Sequence, residues 1–380
     1  ASIGCALSFN TATILGFRAL QGIGGALLNV CGTALVVSAL PPQERGKGIG
    51  ITVTGVYIGL SLAPIIGGIL NYNLGWRSIF YIVIPFLILL LYLIPKKIKS
   101  EWKVGENDPI DIPGSVIYSI AIICAVYGFT IINTTLGLIL TVIGLIGLIG
   151  FTAFELRQKY PIFELRLFKN HKFLSSNIAS LISYLATFVI TFVINYHLQY
   201  IMGMNSQSAG FILIITPVMM AVLAPFAGKL SDKINPQKLA AIGMGLVAIA
   251  IFILVFITDT TPLYVIGFAM FLQGVGYGLF SSPNTNSIMS SVPRKQTPSA
   301  SSAVATMRVI GQTLSSGMLT VLFAIIMGSV PIIPKYYGLL MYSSKIACII
   351  SVILCVIAVL TCLVGIHSKD KYNTEEDLTV

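Results

Sequence analysis

The sequence predicts an all-α polytopic membrane protein, and three observations carry that prediction. The 380 residues are 56% hydrophobic and only 9% charged, with a mean hydropathy of +0.92, far too apolar for a water-soluble domain of this length. Apolar stretches of the roughly 20 residues that a helix needs to cross a bilayer recur along the whole chain. Asp and Glu are absent from the middle of every such stretch, while Lys and Arg gather in alternate loops.

Taken in order, Ala1 to Ser8 reads as the end of one helix. Spans are then expected at 10–39, 47–71, 77–94, 112–132, 135–156, 173–202, 207–227, 239–258, 262–290, 299–328 and 340–366. Turn residues mark the joins at Pro41-Pro42, Asn71 to Gly75, Asn133 to Gly137, Asn205-Ser206 and Thr258 to Pro262. One set of alternate loops, with the C-terminal tail, holds Arg45, Lys47, Lys96, Lys97, Lys99, Lys103, Arg157, Lys159, Arg166, Lys169, Lys172, Lys229, Lys233, Lys238, Arg294, Lys295, Lys369 and Lys371. The other set holds Arg77, Lys335 and Lys345, and Arg18 and Arg308 lie inside apolar segments. The positive-inside rule therefore expects the first set, and the C-terminus, in the cytoplasm. The net charge of +10 follows from topology and implies no nucleic-acid surface.

An internal repeat divides the chain. Leu20-Gln21-Gly22-Ile23-Gly24 recurs as Leu272-Gln273-Gly274-Val275-Gly276, each followed by a Pro and basic loop and then a Gly- and Ser-rich helix. The second copy has a long stretch before its motif, starting near Phe173, and the first has little. The expectation is that about 80 residues, two helices and most of a third, precede Ala1 in a longer protein. Residues 1–94 then form an incomplete N-terminal helix bundle, 95–160 an inserted helix pair with its loops, 161–366 a C-terminal six-helix bundle, and 367–380 a cytoplasmic tail.

Four motifs carry a family resemblance. They are Gly16 to Gly24 with its Arg18-x-x-Gln21-Gly22 core; Gly59 to Gly68, with Ala63, Pro64, Gly67 and Gly68; Trp76-Arg77-Ser78-Ile79-Phe80 leading to Pro85; and Gly228-Lys229-Leu230-Ser231-Asp232-Lys233. Together they resemble the fourth-helix motif, the fifth-helix antiporter signature, the start of the sixth helix and the second cytoplasmic loop of major facilitator superfamily drug exporters. Ala63 stands where that signature has Gly, Val83 where the family prefers Asn, and Asn235-Pro236 where its loop has Gly-Arg. The additional helices at 112–132 and 135–156 are similar to those of the fourteen-helix drug:proton antiporter branch. The resemblance implies two pseudo-repeated six-helix bundles, about eleven of fourteen transmembrane helices present here, and proton-coupled export of drugs or other amphipathic organic compounds from a prokaryotic cell. A transporter for one metabolite, lipid or peptide would share every motif. A non-transporting sensor or scaffold is the remote alternative.

The residues have their own physical readings. Gly55, Gly59, Ala63 and Gly67 share one helix face, which predicts close approach by a neighbouring helix, and Pro64 removes a backbone donor and permits a kink. Arg18 inside an apolar segment needs a partner; it either works with an upstream carboxylate, which the resemblance implies, or is a structural arginine that bonds backbone carbonyls or snorkels outward. All 13 acidic residues fall in loops, helix ends or the tail. Arg18, Gln21, Gly22 and Arg308 are the candidates for proton coupling or conformational switching. Gly228, Lys229, Asp232 and Lys233 are candidates for a cytoplasmic gate. His197 is either an interfacial histidine or a proton carrier.

On 173–202, Asn177, Ser180, Tyr184, Thr187, Thr191, Asn195 and Gln199 fall on one helix face. Such a stripe fits a water-filled cavity or polar packing. Tyr184, Thr187, Phe188, Thr191, Phe192 and Asn195, with Gln273 and Tyr277, are the candidate cavity; Gln21, Asn29 and Tyr57 are weaker ones. Cys348, Cys355 and Cys362 lie on one helix without a CxxC pair or a nearby His, so they read as lipid-facing or packing residues and not metal ligands. Neither Gly46-Lys47 nor Gly228-Lys229 has a P-loop frame, so no nucleotide is expected. No catalytic constellation or cofactor motif is visible. The expected partners are the lipid bilayer, a small-molecule substrate and protons.

Overall fold

The computed structural model describes residues 1–41, 44–97, 111–158, 164–293, 296–328, 330 and 332–366. The tail 367–380 and the basic residues Lys99, Lys103, Lys159, Arg294 and Lys295 lie outside the described residues, as do the side chains of Pro64 and Gly68. All regular structure among the described residues is helical. Among the described residues ten helices are long and apolar enough to cross a membrane, and a further helix of 30 residues, α3, occupies the segment expected at 47–71.

The chain begins with α1 (Ser2–Ala6), five residues long, followed by α2 (Thr11–Ala39) and α3 (Arg45–Leu74). Asn10 starts α2 by accepting from Thr13 N at 2.8 Å, and Thr13 returns the favour by accepting from Asn10 N, a reciprocal cap that satisfies first-turn donors. Gly75, at φ 78°, lets the chain leave α3 in a backbone conformation that other residues resist. The span expected at 77–94 is two pieces, α4 (Ser78–Tyr81) and α5 (Val83–Lys97). Pro85 explains the break: it has no N–H to give the Tyr81 carbonyl.

Next come α6 (Ile112–Thr130) and α7 (Thr135–Glu155), opened by Asp111 and Thr134, which accept from Gly114 N and Gly137 N at 2.9 and 3.0 Å. The two pack as a hairpin so close that a Cβ on Gly128, Gly137 or Gly144 would collide with backbone of the facing segment, the small-residue approach that membrane helices favour. The hairpin rests on a later helix, α13 (Thr297–Ile326). Phe129 covers Gly317 there, and Tyr118 donates to Thr306 Oγ1 at 3.4 Å.

Six spans follow. α8 (His171–Tyr196) is capped by Asn170 and ends in a π turn over His197–Ile201. The span expected at 207–227 is again split, into α9 (Ser206–Leu213) and α10 (Ile215–Ser231). Pro217 accounts for this, since it cannot donate to the Leu213 carbonyl. α11 (Pro236–Val255), α12 (Leu263–Ser290), α13 and α14 (Tyr337–Ile366) complete the set. α11 packs on α12 and α14, α14 on α8, α8 on α13, and α10 on α12. Their shared core includes the fully buried Ile190, Ile194, Met244, Ile251, Ile266 and Cys355. Cys348, Cys355 and Cys362 are packing residues, buried together in that core.

A Cβ added at Gly55, Gly59 or Gly67 would meet no atom within 4 Å among the described residues. Among the described residues α3 makes its closest backbone approaches elsewhere, at Gly46 and Gly50. α3 is continuous through Ala63 and Pro64.

Candidate functional site

Two helices from before the α6–α7 hairpin, α2 and α3, meet α8, α12 and α13 around a cavity of about 240 Å³. Its polar lining is Asn29 and Thr33 from α2, Thr52 and Tyr57 from α3, Tyr184 from α8, Ser281 and Thr285 from α12, and Arg308 from α13. Apolar walls come from Leu28, Val36, Ile49, Val53, Val56 and Val304. Tyr57, Tyr184 and Arg308 each sit about a dozen residues from the end of their helix that lies on the Asp232 side. At 1.5 Å rise per residue that is about 18 Å, near the middle of a 30 Å hydrocarbon layer.

Hydrogen bonds between described residues cross this meeting of helices. Arg308 donates to Asn29 Oδ1 at 2.7 Å, Ser301 Oγ to the Val30 carbonyl at 2.7 Å, and Tyr57 Oη to Ser281 Oγ at 3.2 Å. Arg308 and Tyr184 line the same cavity as Tyr57. Tyr184 packs edge to face on Tyr277, with centroids 5.8 Å apart.

A second feature lies at the Asp232 end of the same helices, where α3 crosses α10. Gly46 and Gly50, one turn apart, face Ala224 and Gly228. A Cβ on Gly50 would sit 2.6 Å from the Ala224 carbonyl oxygen, and one on Gly228 would strike the Gly46 carbonyl and lie 3.0 Å from Gly50 Cα. The Asp232 carboxylate accepts from Gly46 N at 2.8 Å and Lys47 N at 3.0 Å. Glu44, the residue preceding α3, supplies no side-chain cap of its own, so Asp232 caps α3 from another helix, where a negative charge suits the helix N-terminus. Asn286 on α12 donates to Ser231 Oγ at 3.0 Å and to Asp232 at 3.4 Å. Burial holds the Asp232 carboxyl above its ordinary value, and the bonds from Gly46, Lys47 and Asn286 offset only part of that rise.

The remaining sequence candidates are dispersed. Arg18 is exposed, donates to Gln21 Oε1 at 2.9 Å and lies over the Phe80 ring at 5.7 Å; Gln21 in turn donates to Ser2 Oγ. A Cβ at Gly22 would meet open space among the described residues. Lys229 and Lys233 are exposed, unlike Gly228 and Asp232 of the same motif, which lie at the crossing. Of the α8 stripe, Tyr184 lines the cavity. Asn177 and Ser180 are buried, and Ser180 accepts from Asn284 at 2.7 Å. Thr187 donates to the Ser183 carbonyl, Asn195 accepts from Gln199, and Phe188 stacks on Phe192. None of Thr187, Phe188, Thr191, Phe192 or Asn195 lines the cavity, and Gln273 and Tyr277 are buried behind it. His197 is buried beside a smaller pocket shared with Lys345. No group of His, Cys, Asp and Glu among the described residues could hold a metal ion.

Sequence reasoning passed over Thr33, Thr52, Ser281 and Thr285 in the cavity and Gly46, Gly50 and Asn286 at the crossing. The small-residue spacings Gly46-x-x-x-Gly50 and Ala224-x-x-x-Gly228 were the available signal for the crossing.

Comparison with known proteins accounts for this architecture. The profile of the Major Facilitator Superfamily matches residues 1–316. The chain belongs to the major facilitator superfamily. Its fold is accordingly that of a superfamily transporter, set in a lipid bilayer and acting on a small-molecule substrate. Among superfamily relatives, the riboflavin transporter RibZ of Clostridioides difficile is 30% identical over 327 residues, which cover 84% of this chain and 70% of that protein. The multidrug resistance protein Stp of Mycobacterium tuberculosis is 26% identical over 328 residues, covering 84% of this chain and 60% of that one. The crystal structure of the human organic anion transporter MFSD10 superposes with a TM-score of 0.67 at 12% identity, covering 95% of this chain and 73% of that chain. That likeness is one of fold.

Proposed function

We propose that this chain carries the substrate path of a proton-coupled exporter of amphipathic organic compounds, of the fourteen-helix drug:proton antiporter branch, in a prokaryotic cell membrane with a cytoplasmic C-terminus. The observation that carries the reading is the cavity at mid-depth, walled by α2 and α3 on one side and by α8, α12 and α13 on the other. A site at the interface of two helix bundles, bridged by a few exchangeable hydrogen bonds, is what alternating access requires. In this reading residues 1–94 belong to one bundle and 161–366 to the other, with 95–160 riding beside the second. The α3–α10 crossing with Asp232 is the cytoplasmic gate, and Arg18, Gln21 and Gly22 act in coupling. The multidrug resistance relative supports a broad substrate range. The riboflavin transporter, at 30% identity, supports the second reading, a carrier for one metabolite.

The test uses the full-length protein in inverted membrane vesicles with an imposed pH gradient. Addition of a substrate should collapse the gradient only when the protein is present, and several unrelated amphipathic compounds should do so. If one compound alone moves protons, the single-metabolite reading replaces the broad one. If export continues unchanged once the gradient is abolished by a protonophore, proton coupling is wrong.

A further inference from the structure

We infer that the mid-membrane cavity selects aromatic organic anions, with Arg308 as the group that pairs with their acidic end; this rests on the reading of that cavity as the substrate site. Arg308 is the one formally charged side chain lining the cavity among the described residues. Its described hydrogen-bond partner is a neutral amide oxygen, Asn29 Oδ1, at 2.7 Å. A guanidinium offers five donors in a planar fork matched to a carboxylate or similar oxyanion, so one amide leaves most of that capacity unused. No carboxylate lines the cavity beside Arg308 among the described residues, and an intramembrane cation is expensive and marks a pathway. An anion entering the cavity supplies the missing counter-charge, and a cation meets repulsion in a low-dielectric space.

The rest of the lining fits the body of such a compound. Tyr57 and Tyr184 supply aromatic surface, and Tyr184 is held in place by Tyr277 at 5.8 Å. Val53, Val56 and Val304 supply apolar wall, and Thr33, Thr52 and Thr285 supply hydroxyls for ring heteroatoms or carbonyls. A cavity of about 240 Å³ suits a compound of two or three fused rings in this described conformation. Binding has a built-in consequence. The anion competes with Asn29 for the guanidinium, so occupying the site loosens one of the bonds that join α2 to α13.

Three isosteric probes, 1-naphthoate, 1-naphthamide and 1-naphthylmethylammonium, test this by calorimetric or fluorescence titration of the full-length protein in nanodiscs. Naphthoate is expected to bind about tenfold or more tighter than the amide, and the ammonium most weakly. Arg308→Gln should weaken naphthoate far more than the amide, bringing the two affinities together. Asn29→Ala, which frees the guanidinium, should tighten naphthoate alone, and it serves as the second arm if Arg308→Gln does not fold. Equal affinity for the three probes, or tightest binding of the ammonium, overturns the anion inference and leaves the cavity as a substrate site. Binding of none of them, together with unchanged export by Tyr184→Leu, overturns the cavity reading and this inference with it.

Discussion

Replacing Asp232 by Ala tests the contact that ties α3 to α10. The carboxylate accepts two short backbone hydrogen bonds, 2.8 Å from Gly46 N and 3.0 Å from Lys47 N. A side-chain oxygen capping a helix start contributes about 1 kcal/mol, and its negative charge at the positive helix end adds about 0.3–1 kcal/mol. Asp232 is half-exposed, and water takes over part of both contributions once it is gone. The expected loss is therefore about 1–2 kcal/mol, a factor of about 5–30 between the joined and parted arrangements. Spin labels on cysteines at Lys47 and Lys229, read by pulsed EPR in nanodiscs, report the two populations as two distances. Asp232→Ala should enlarge the longer-distance population by that factor, and Asp232→Asn, which keeps one acceptor oxygen, should do so by less. A distance distribution identical to the parent in both variants would refute the reasoning. So would an equal shift from Lys233→Ala, a neighbour that is exposed.

Gly228→Val should part the same helices more completely than Asp232→Ala, because its Cβ meets the Gly46 carbonyl and Gly50 Cα, which are backbone and cannot swing aside; the same EPR distances check it. In the hairpin, Gly144→Val drives a Cβ into Ala125 backbone and should cost about 1–3 kcal/mol, seen as a lower melting temperature. Gly150→Ala, with open space within 4 Å among the described residues, should leave melting unchanged or raise it. Tyr184→Leu should change which compounds are exported, since it removes the one stripe residue lining the cavity, and Thr191→Leu should not; matching export profiles for both would end the cavity assignment. In a cysteine-free background, a single cysteine at Lys233 should react with an impermeant thiol reagent only after cell disruption, and one at Thr134 in intact cells; the reverse pattern would invert the topology.

The spans were legible because each is a run of apolar residues long enough to cross a bilayer, and that property is local. So were the helix starts at Asn10, Asp111 and Thr134, which are capping residues placed just ahead of apolar runs. The breaks at Ile82 and Ile214 were written in Pro85 and Pro217, yet proline is tolerated inside other helices here, as at Pro225 and Pro283. Only the fold decides which prolines interrupt a helix. Partnership between distant helices was the harder part. Arg308 and Asn29 each stood out as polar residues in apolar segments, but nothing local says that they touch. The Gly55 to Gly67 row reads as a packing face, yet a Cβ added at its glycines meets no described atom within 4 Å, whereas Gly46 and Gly50 are where backbone meets backbone. A periodicity states that a face is smooth; it does not name what lies against it.

The α3–α10 crossing has two unlike ends, and the difference sets an order of events. At the rim, the bonds to Asp232 can be replaced by water one at a time, each at little cost, because a solvent molecule can take the acceptor's place before the next bond lets go. Deeper in, Gly228 lies against Gly46 and Gly50 with no space for a water molecule between them, and contact of that kind is kept whole or lost whole. If the proposed gate opens here, separation is expected to start at the wet end and to hydrate the rim while the glycine contact is still intact. On that order the barrier to opening would lie in the parting of bare backbone, at residues that carry no side chain at all.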